Sequence, residues 1–456
     1  MARVALVNLA SMPMPGNEPI FPIGARCVQA ALQQAGHDTC LLDFVETPEA
    51  FTDLSWAARG WDVIGFSIRN IDPIDLACDG FVPHYEAFVD RVRRAAGQPA
   101  PLLVGGGPGY SLFGDALLSR LGLDVGVVGP GEQSMLEIAA QPDLYRRHAG
   151  NLKGGRYPGF LTEAIEHPTS LMQAYAQAAS AMIGVETKRK TCYQGCVYCP
   201  YAFVSGDNQG DFKPLALLEQ EVRGIYQAGV RRVFFTDAIF NSEIRFAKQV
   251  VGLLAELALP GLTWSGYFAP KPFDDEFAGM LAASNLEMVL LSPDSLDVAM
   301  MGRLGKRFDT RHVTRFIERC RRHGLEMRLS VVFGGPGETE ASVRATAEYA
   351  NAYLRPEDLV LNVGFRVLPA TGLARQLGLP DQHLVEPTFY PLDPEIFSWI
   401  IKHFDSRFMP HKRLLHLMVD NIASKKMIKV PHGPGMAAEQ ATSLPYLALT
   451  RRPAHD

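Results

Sequence analysis

Three cysteines stand within eight residues, Cys192, Cys196 and Cys199 in TKRKTCYQGCVYCPY, directly after the apolar run Met182 to Glu186. A strand that ends in such a loop must deliver three thiols to one centre, and the rest of the fold has to be built around it. The CxxxCxxC spacing suits an iron-sulfur cluster, whose natural ligands are thiolates. Three of them hold three irons of a 4Fe-4S cubane and leave the fourth free to chelate a small molecule. A structural zinc site usually draws four ligands, often as paired CxxC arms, whereas Cys27, Cys40, Cys78 and Cys320 are scattered singly. A disulfide framework is disfavoured because seven cysteines in 456 residues, behind an N-terminus that reads as a first strand and loop, point to a reducing cytoplasm.

The length predicts two or three domains. A 47% hydrophobic and 20% charged composition is that of an ordinary soluble protein. The net charge of -5 argues against a nucleic-acid binder, and no apolar run approaches the roughly 20 residues that cross a bilayer.

The pattern is α/β throughout. Residues 1–141 alternate strand and helix signals, which predicts an open, Rossmann-like parallel sheet whose ligands sit at the carboxyl ends of the strands. Ser67, Arg69 and Asn70 follow one strand, Gly105, Gly106, Gly107, Gly109 and Ser111 the next, and Gly129, Gly131 and Glu132 the last. Glycines there let a ligand approach the backbone. The GxGxxG fingerprint is absent from the first turn, so a dinucleotide is disfavoured. Residues 142–180, rich in glycine, proline and alanine, are expected as a linker. Residues 181–371 carry six apolar runs separated by amphipathic helices, a partial (β/α)6 barrel with its working groups at the carboxyl ends of the strands. Residues 372–456 form a helical capping region whose histidines His403, His411, His416 and His432 lack metal-site spacing.

With the strand before it, Tyr198 ahead of its third cysteine and a helix after it, the cysteine loop resembles the radical S-adenosylmethionine (SAM) superfamily. LLVGGGPGYSLFGDALL followed by DVGVVGPGEQSMLEI resembles the cobalamin-binding domain that precedes many radical SAM domains, although Gly129-Pro130-Gly131-Glu132 departs from the usual GEGE. The resemblance implies Arg69, Asn70, Gly105, Gly106, Ser111, Gly129 and Glu132 as cobalamin contacts. The DxHxxG motif that supplies a histidine to cobalt is missing, so Arg69 of FSIRNID is expected beneath the corrin without coordinating it. The alternative pairs Arg69 with Asp72 or Asp75.

For SAM, the resemblance implies Tyr198 near the adenine and Asp237 as acceptor for the methionyl ammonium, with a helix cap as the other role open to Asp237 or Asn241. It adds Ser292, Ser330 and the Gly334 turn of VVFGGPGETE. Arg366 of GFRVLPATGLA either faces the cavity to bind a carboxylate or pairs structurally.

The activity implied is a cobalamin-dependent methyl transfer to a small metabolite in secondary metabolism. The SIRN element and general layout are similar to those of thiopeptide tryptophan C-methylases. The alternative is a cobalamin-independent radical dehydratase, epimerase or cyclase, similar to aminoglycoside diol dehydratases, with a vestigial cobalamin domain. Either needs an electron donor such as flavodoxin, ferredoxin or a dedicated reductase.

Overall fold

The computed structural model describes residues 1–73, 79–147, 150–178, 182–205 and 209–408. Six strands build the first sheet: β1 (Arg3–Asn8), β2 (Asp38–Asp43), β3 (Val63–Ser67), β4 (Leu102–Gly106), β5 (Val125–Val128) and β6 (Gly150–Lys153). All pair in parallel, in the order β2-β1-β3-β4-β5-β6. Its central strands are apolar because both faces are covered. Val4, Leu6, Val63, Val104 and Val125 pack with Leu32, Met135 and Ile138 on one side, while Ala5, Val7, Ile64, Phe66 and Leu103 pack with Tyr85, Val89 and Leu117 on the other. The chain reverses its direction of growth between β1 and β3, and ligands of open α/β sheets bind outside the strand ends at such a switch.

The second sheet contains β7 (Ile183–Val185), β10 (Arg232–Phe235), β11 (Thr263–Phe268), β12 (Leu286–Asp294), β13 (Met327–Phe333) and β14 (Leu359–Val363). These too are parallel, in the order β14-β13-β12-β11-β10-β7, the strand sequence of a partial barrel. A two-stranded antiparallel ribbon, β8 (Lys188–Lys190) with β9 (Gln209–Phe212), brackets the cysteine loop. In β13 burial alternates strictly, so Arg328, Ser330 and Val332 share the more open face.

The stretch expected as a linker is structured where described. It supplies β6 and a helix, Thr169–Gln177, whose Leu171, Met172 and Tyr175 enter the barrel core. At the other end, Leu392, Ile396, Ile400, Phe404 and Phe408 complete that core, and the Ile396–His403 helix lies along the Glu340–Tyr353 helix. His403 pairs with Glu340 at 2.9 Å, whereas His411, His416 and His432 lie outside the described residues, as do Asp75 and Cys78. Among the described residues no helix is long and apolar enough to cross a membrane.

The two sheets share a boundary. The apolar cluster on one face of the first sheet continues into Met300, Leu304, Phe365, Val367 and Leu373 of the barrel. Polar ties cross it as well. Tyr175 donates to buried Asp43 at the end of β2 (3.0 Å), and Arg366 Nε meets Asp72 at 3.0 Å in the loop after β3.

Candidate cluster and cofactor site

The cysteine loop runs from the end of β8 across the barrel's carboxyl end and is clamped from two sides. On one side, Val197 N donates to Leu304 O (3.1 Å) and Arg307 N donates to the Gln194 side chain (2.9 Å). Gly305 packs so closely that a Cβ there would lie 2.1 Å from Gly195 O, and its φ of +80° already favours glycine. On the other side, Leu373 N donates to Val197 O at 2.9 Å, at the start of a helix capped by Thr371. The TGLA element is thus a support for the loop.

Burial pushes the Cys199 thiol up to about 11 and raises Cys192 also, through loss of hydration. Both are protonated at neutral pH until an ion displaces the proton. Among the described residues, no three Cys, His, Asp or Glu side chains converge closely enough for a single metal ion.

Tyr198 stacks obliquely on Phe365 with ring centres 5.0 Å apart, and its hydroxyl donates to Asp294. Lys306 pairs with the same carboxylate; both side chains are only 4% exposed. The sequence reading missed Asp294, Leu304 and Lys306. Asp294 adopts a left-handed φ of +61° at the end of β12, unusual outside glycine, but nothing in a single sequence marks that.

The residues expected at SAM divide. Asp237 is spent inward: it accepts from Thr187 N (3.2 Å), Thr187 Oγ1 (2.6 Å) and Lys188 N (3.1 Å) and pairs with Lys188 Nζ at 3.3 Å. It therefore anchors the turn after β7 to the end of β10. Asn241 is also internal, bonded to Ala269 and Pro272. Ser292 gives its carbonyl to Lys306 (2.8 Å), and Ser330 accepts from Asn362 (3.3 Å) on the open face of the barrel. Gly334 has φ +90° and leaves space filled by Leu392; Thr339, not Glu338, caps the following helix. Every nitrogen of the Arg366 guanidinium is engaged, by Asp72 and by the carbonyls of Val367, Thr388 and Leu384, so the structure gives it the pairing role.

The first-sheet residues divide in the same way. The missing Cβ of Gly105 makes room for Tyr110 and Leu123, a packing reason rather than a ligand's approach, while Gly106 has only ordinary neighbours. Ser111 donates to Gly107 O (2.8 Å) and accepts from Gly129 N (3.0 Å), tying the β4 and β5 turns together. Glu132 reaches across the boundary to Arg189 at 2.6 Å, three residues before Cys192. Asn70 is fixed through Asp72 O (3.0 Å), and its own carbonyl accepts from Tyr85 (3.0 Å).

Arg69 stands apart. It is exposed to water and has no hydrogen bond or ion pair to another described residue; Asp72 belongs to Arg366. Yet protein surrounds it closely enough to hold its pKa below the usual arginine range, with Tyr267 of β11 and Tyr85 as the nearest phenols. Among the described residues, then, the Arg69 guanidinium has no ion-pair partner in the loop after β3.

Residues 190–350 match the radical SAM superfamily and residues 17–139 the B12 binding domain. The chain belongs to the radical SAM enzymes that carry a B12-binding domain ahead of the barrel. It is 25% identical over 454 residues to the tryptophan 2-C-methyltransferase of Streptomyces laurentii, covering 82% of this chain and 74% of that protein. Its fold is similar to that of TsrM from Kitasatospora setae, a radical S-adenosylmethionine methyltransferase solved with tryptophan and the SAM analogue aza-SAM. That match has 23% identity, 83% coverage of this chain and 77% of the other, and a TM-score of 0.71. OxsB, a cobalamin-dependent S-adenosylmethionine radical enzyme solved with aqua-cobalamin and S-adenosylmethionine, shares the fold at 12% identity with a TM-score of 0.61, covering 97% of this chain and 64% of that one.

Proposed function

We propose that the protein is a cobalamin-dependent radical SAM methyltransferase acting on a small organic metabolite in secondary metabolism. The observation that carries this reading is Arg69, a guanidinium without a partner among the described residues, at the switch-point end of a B12-binding domain and facing Tyr267 of the barrel. A guanidinium is always charged and a poor metal ligand, so Arg69 would line a cobalamin site without ligating cobalt. The similarity to a tryptophan 2-C-methyltransferase over 82% of this chain supports the same reading.

When bound, the cluster supplies an open iron and a redox electron, SAM a methyl or adenosyl group, and cobalamin a cobalt that carries methyl. The chain's own residues then divide the remaining work. Cys192, Cys196 and Cys199 hold the irons, while Leu304, Gly305 and Gly372 fix the shape of their loop. Tyr198, packed on the buried Phe365, would offer its ring to the adenine. Phe234 and Tyr267, with ring centres 5.8 Å apart on β10 and β11, and the Ser330–Asn362 pair on β13 and β14 would offer an aromatic metabolite apolar contact and one or two hydrogen bonds. Electrons come from a flavodoxin, a ferredoxin or a dedicated reductase.

The test is incubation of reconstituted protein with methyl-labelled SAM, hydroxocobalamin and a panel of aromatic metabolites under anaerobic conditions. Label transferred to carbon supports the reading. Adenosyl cleavage with substrate turnover and no label transfer, insensitive to cobalamin, contradicts it and favours a dehydratase or cyclase.

A further inference from the structure

Lys306 follows Gly305, the residue that packs on the cysteine loop, and its side chain turns back beneath that loop. Its ammonium meets Asp294, donates to Ser292 O at 2.8 Å and lies 3.1 Å from the Tyr198 hydroxyl, while the backbone of the preceding Gly305 packs against Gly195 and Cys196. Tyr198 donates its own proton to Asp294, which leaves its oxygen free to accept from the ammonium. A buried lysine is costly unless paired and hydrogen-bonded. Asp294 meets that cost, but one carboxylate would do so equally well away from the cysteines. The placement puts a cation one residue beyond the glycine that packs on the cysteine loop and keeps its counter-ion on the side of Tyr198.

We propose that Lys306 is the electrostatic partner of the cluster: its ammonium, buried beside the cysteine loop, favours the reduced cluster. This rests on the cluster reading given above. A cubane bound by three thiolates is anionic and gains one more negative charge when a ferredoxin- or flavodoxin-class donor supplies one electron. Lys306 is already protonated, so no proton moves with that electron. A cation held beside the ligating loop stabilises the more negative state, and local charge is an established determinant of cluster potential. Lys306 thereby brings the cluster within reach of the donor.

The experiment is an EPR-monitored redox titration of the reconstituted full-length protein as wild type, Lys306→Met, Lys306→Gln, Lys306→Arg and Asp294→Asn, each first assayed for iron and sulfide. Wild type without iron and sulfide refutes the cluster reading itself, before Lys306 is tested. With the cluster loaded, Lys306→Met and Lys306→Gln shift the midpoint to more negative potential, Lys306→Arg stays near wild type, and Asp294→Asn, which removes the counter-ion, shifts it the opposite way. A loss of packing alone would not give shifts of opposite sign. If Lys306→Met fails to hold the cluster, Lys306→Gln, which keeps an N–H donor, decides. A loaded neutral variant with the wild-type midpoint overturns the proposal.

Discussion

At the scale of single residues, the contrast between Asp237 and Arg69 shows what a motif position can and cannot tell. Both stand at carboxyl ends of strands, where the fold rule places working groups. Asp237 is saturated by Thr187 and Lys188, and Arg69 has no partner among the described residues. His167 adds a titration. It packs edge-on against Phe21 with ring centres 4.9 Å apart, its Nδ1 is buried without a partner, and burial beside Arg26 and Lys213 lowers its pKa to about 3. A folded-state pKa below the unfolded value means the neutral form is bound in the fold. The stability it contributes is complete above about pH 6.5 and is lost as pH falls towards 3. Replacing His167 with Phe is expected to reduce the loss of stability between pH 7 and pH 5 by up to about 2 kcal/mol, read from denaturant midpoints at the two pH values. An unchanged pH slope would show that His167 is not the titrating group.

At the scale of elements, the sequence was legible wherever period and length agreed. Among the six apolar runs read in residues 181–371 are β10 and β13, and among the amphipathic helices between them is Glu340–Tyr353. Short elements lacked such a signal. β6 (GNLK) carries one apolar residue and exists because β5 offers it an edge, and the β8–β9 ribbon is written in charge, KRK against QGDF. The cysteines were legible because their spacing is local. The clamp around them was not, since Leu304, Gly305 and Gly372 are brought to the loop only by the barrel's closure. Gly305→Ala tests that clamp. With its Cβ directed at Gly195 O and a strained φ, it is expected to displace the loop and lower bound iron several-fold after reconstitution while the circular dichroism spectrum is kept. Full iron content in a folded Gly305→Ala protein would refute the clamp.

At the scale of the whole molecule, the two sheets are joined by an apolar cluster and by a few buried polar ties: Arg366–Asp72, Glu132–Arg189 and Tyr175–Asp43. Two of these are made by residues expected at cofactors. A motif can record a residue that holds the domains around a ligand as readily as one that touches it, and sequence alone does not separate the two. Arg366→Met leaves Asp72 without its cation and frees three carbonyls. It is expected to cost about 2 kcal/mol and to speed proteolytic cleavage between the sheets. Cleavage at the wild-type rate would mean the apolar contact alone holds the boundary.

The proposed function requires one chain to hold a cubane and a corrin together. Anaerobic reconstitution with iron, sulfide and hydroxocobalamin, followed by desalting and combined iron, sulfide and cobalt analysis, tests it most directly. The account predicts about four irons and about one cobalt per chain, with the iron lost and the cobalt kept when Cys192, Cys196 and Cys199 are all replaced by alanine. A filled cluster with no retained cobalt would contradict it and leave the first sheet as a cover over a different radical reaction.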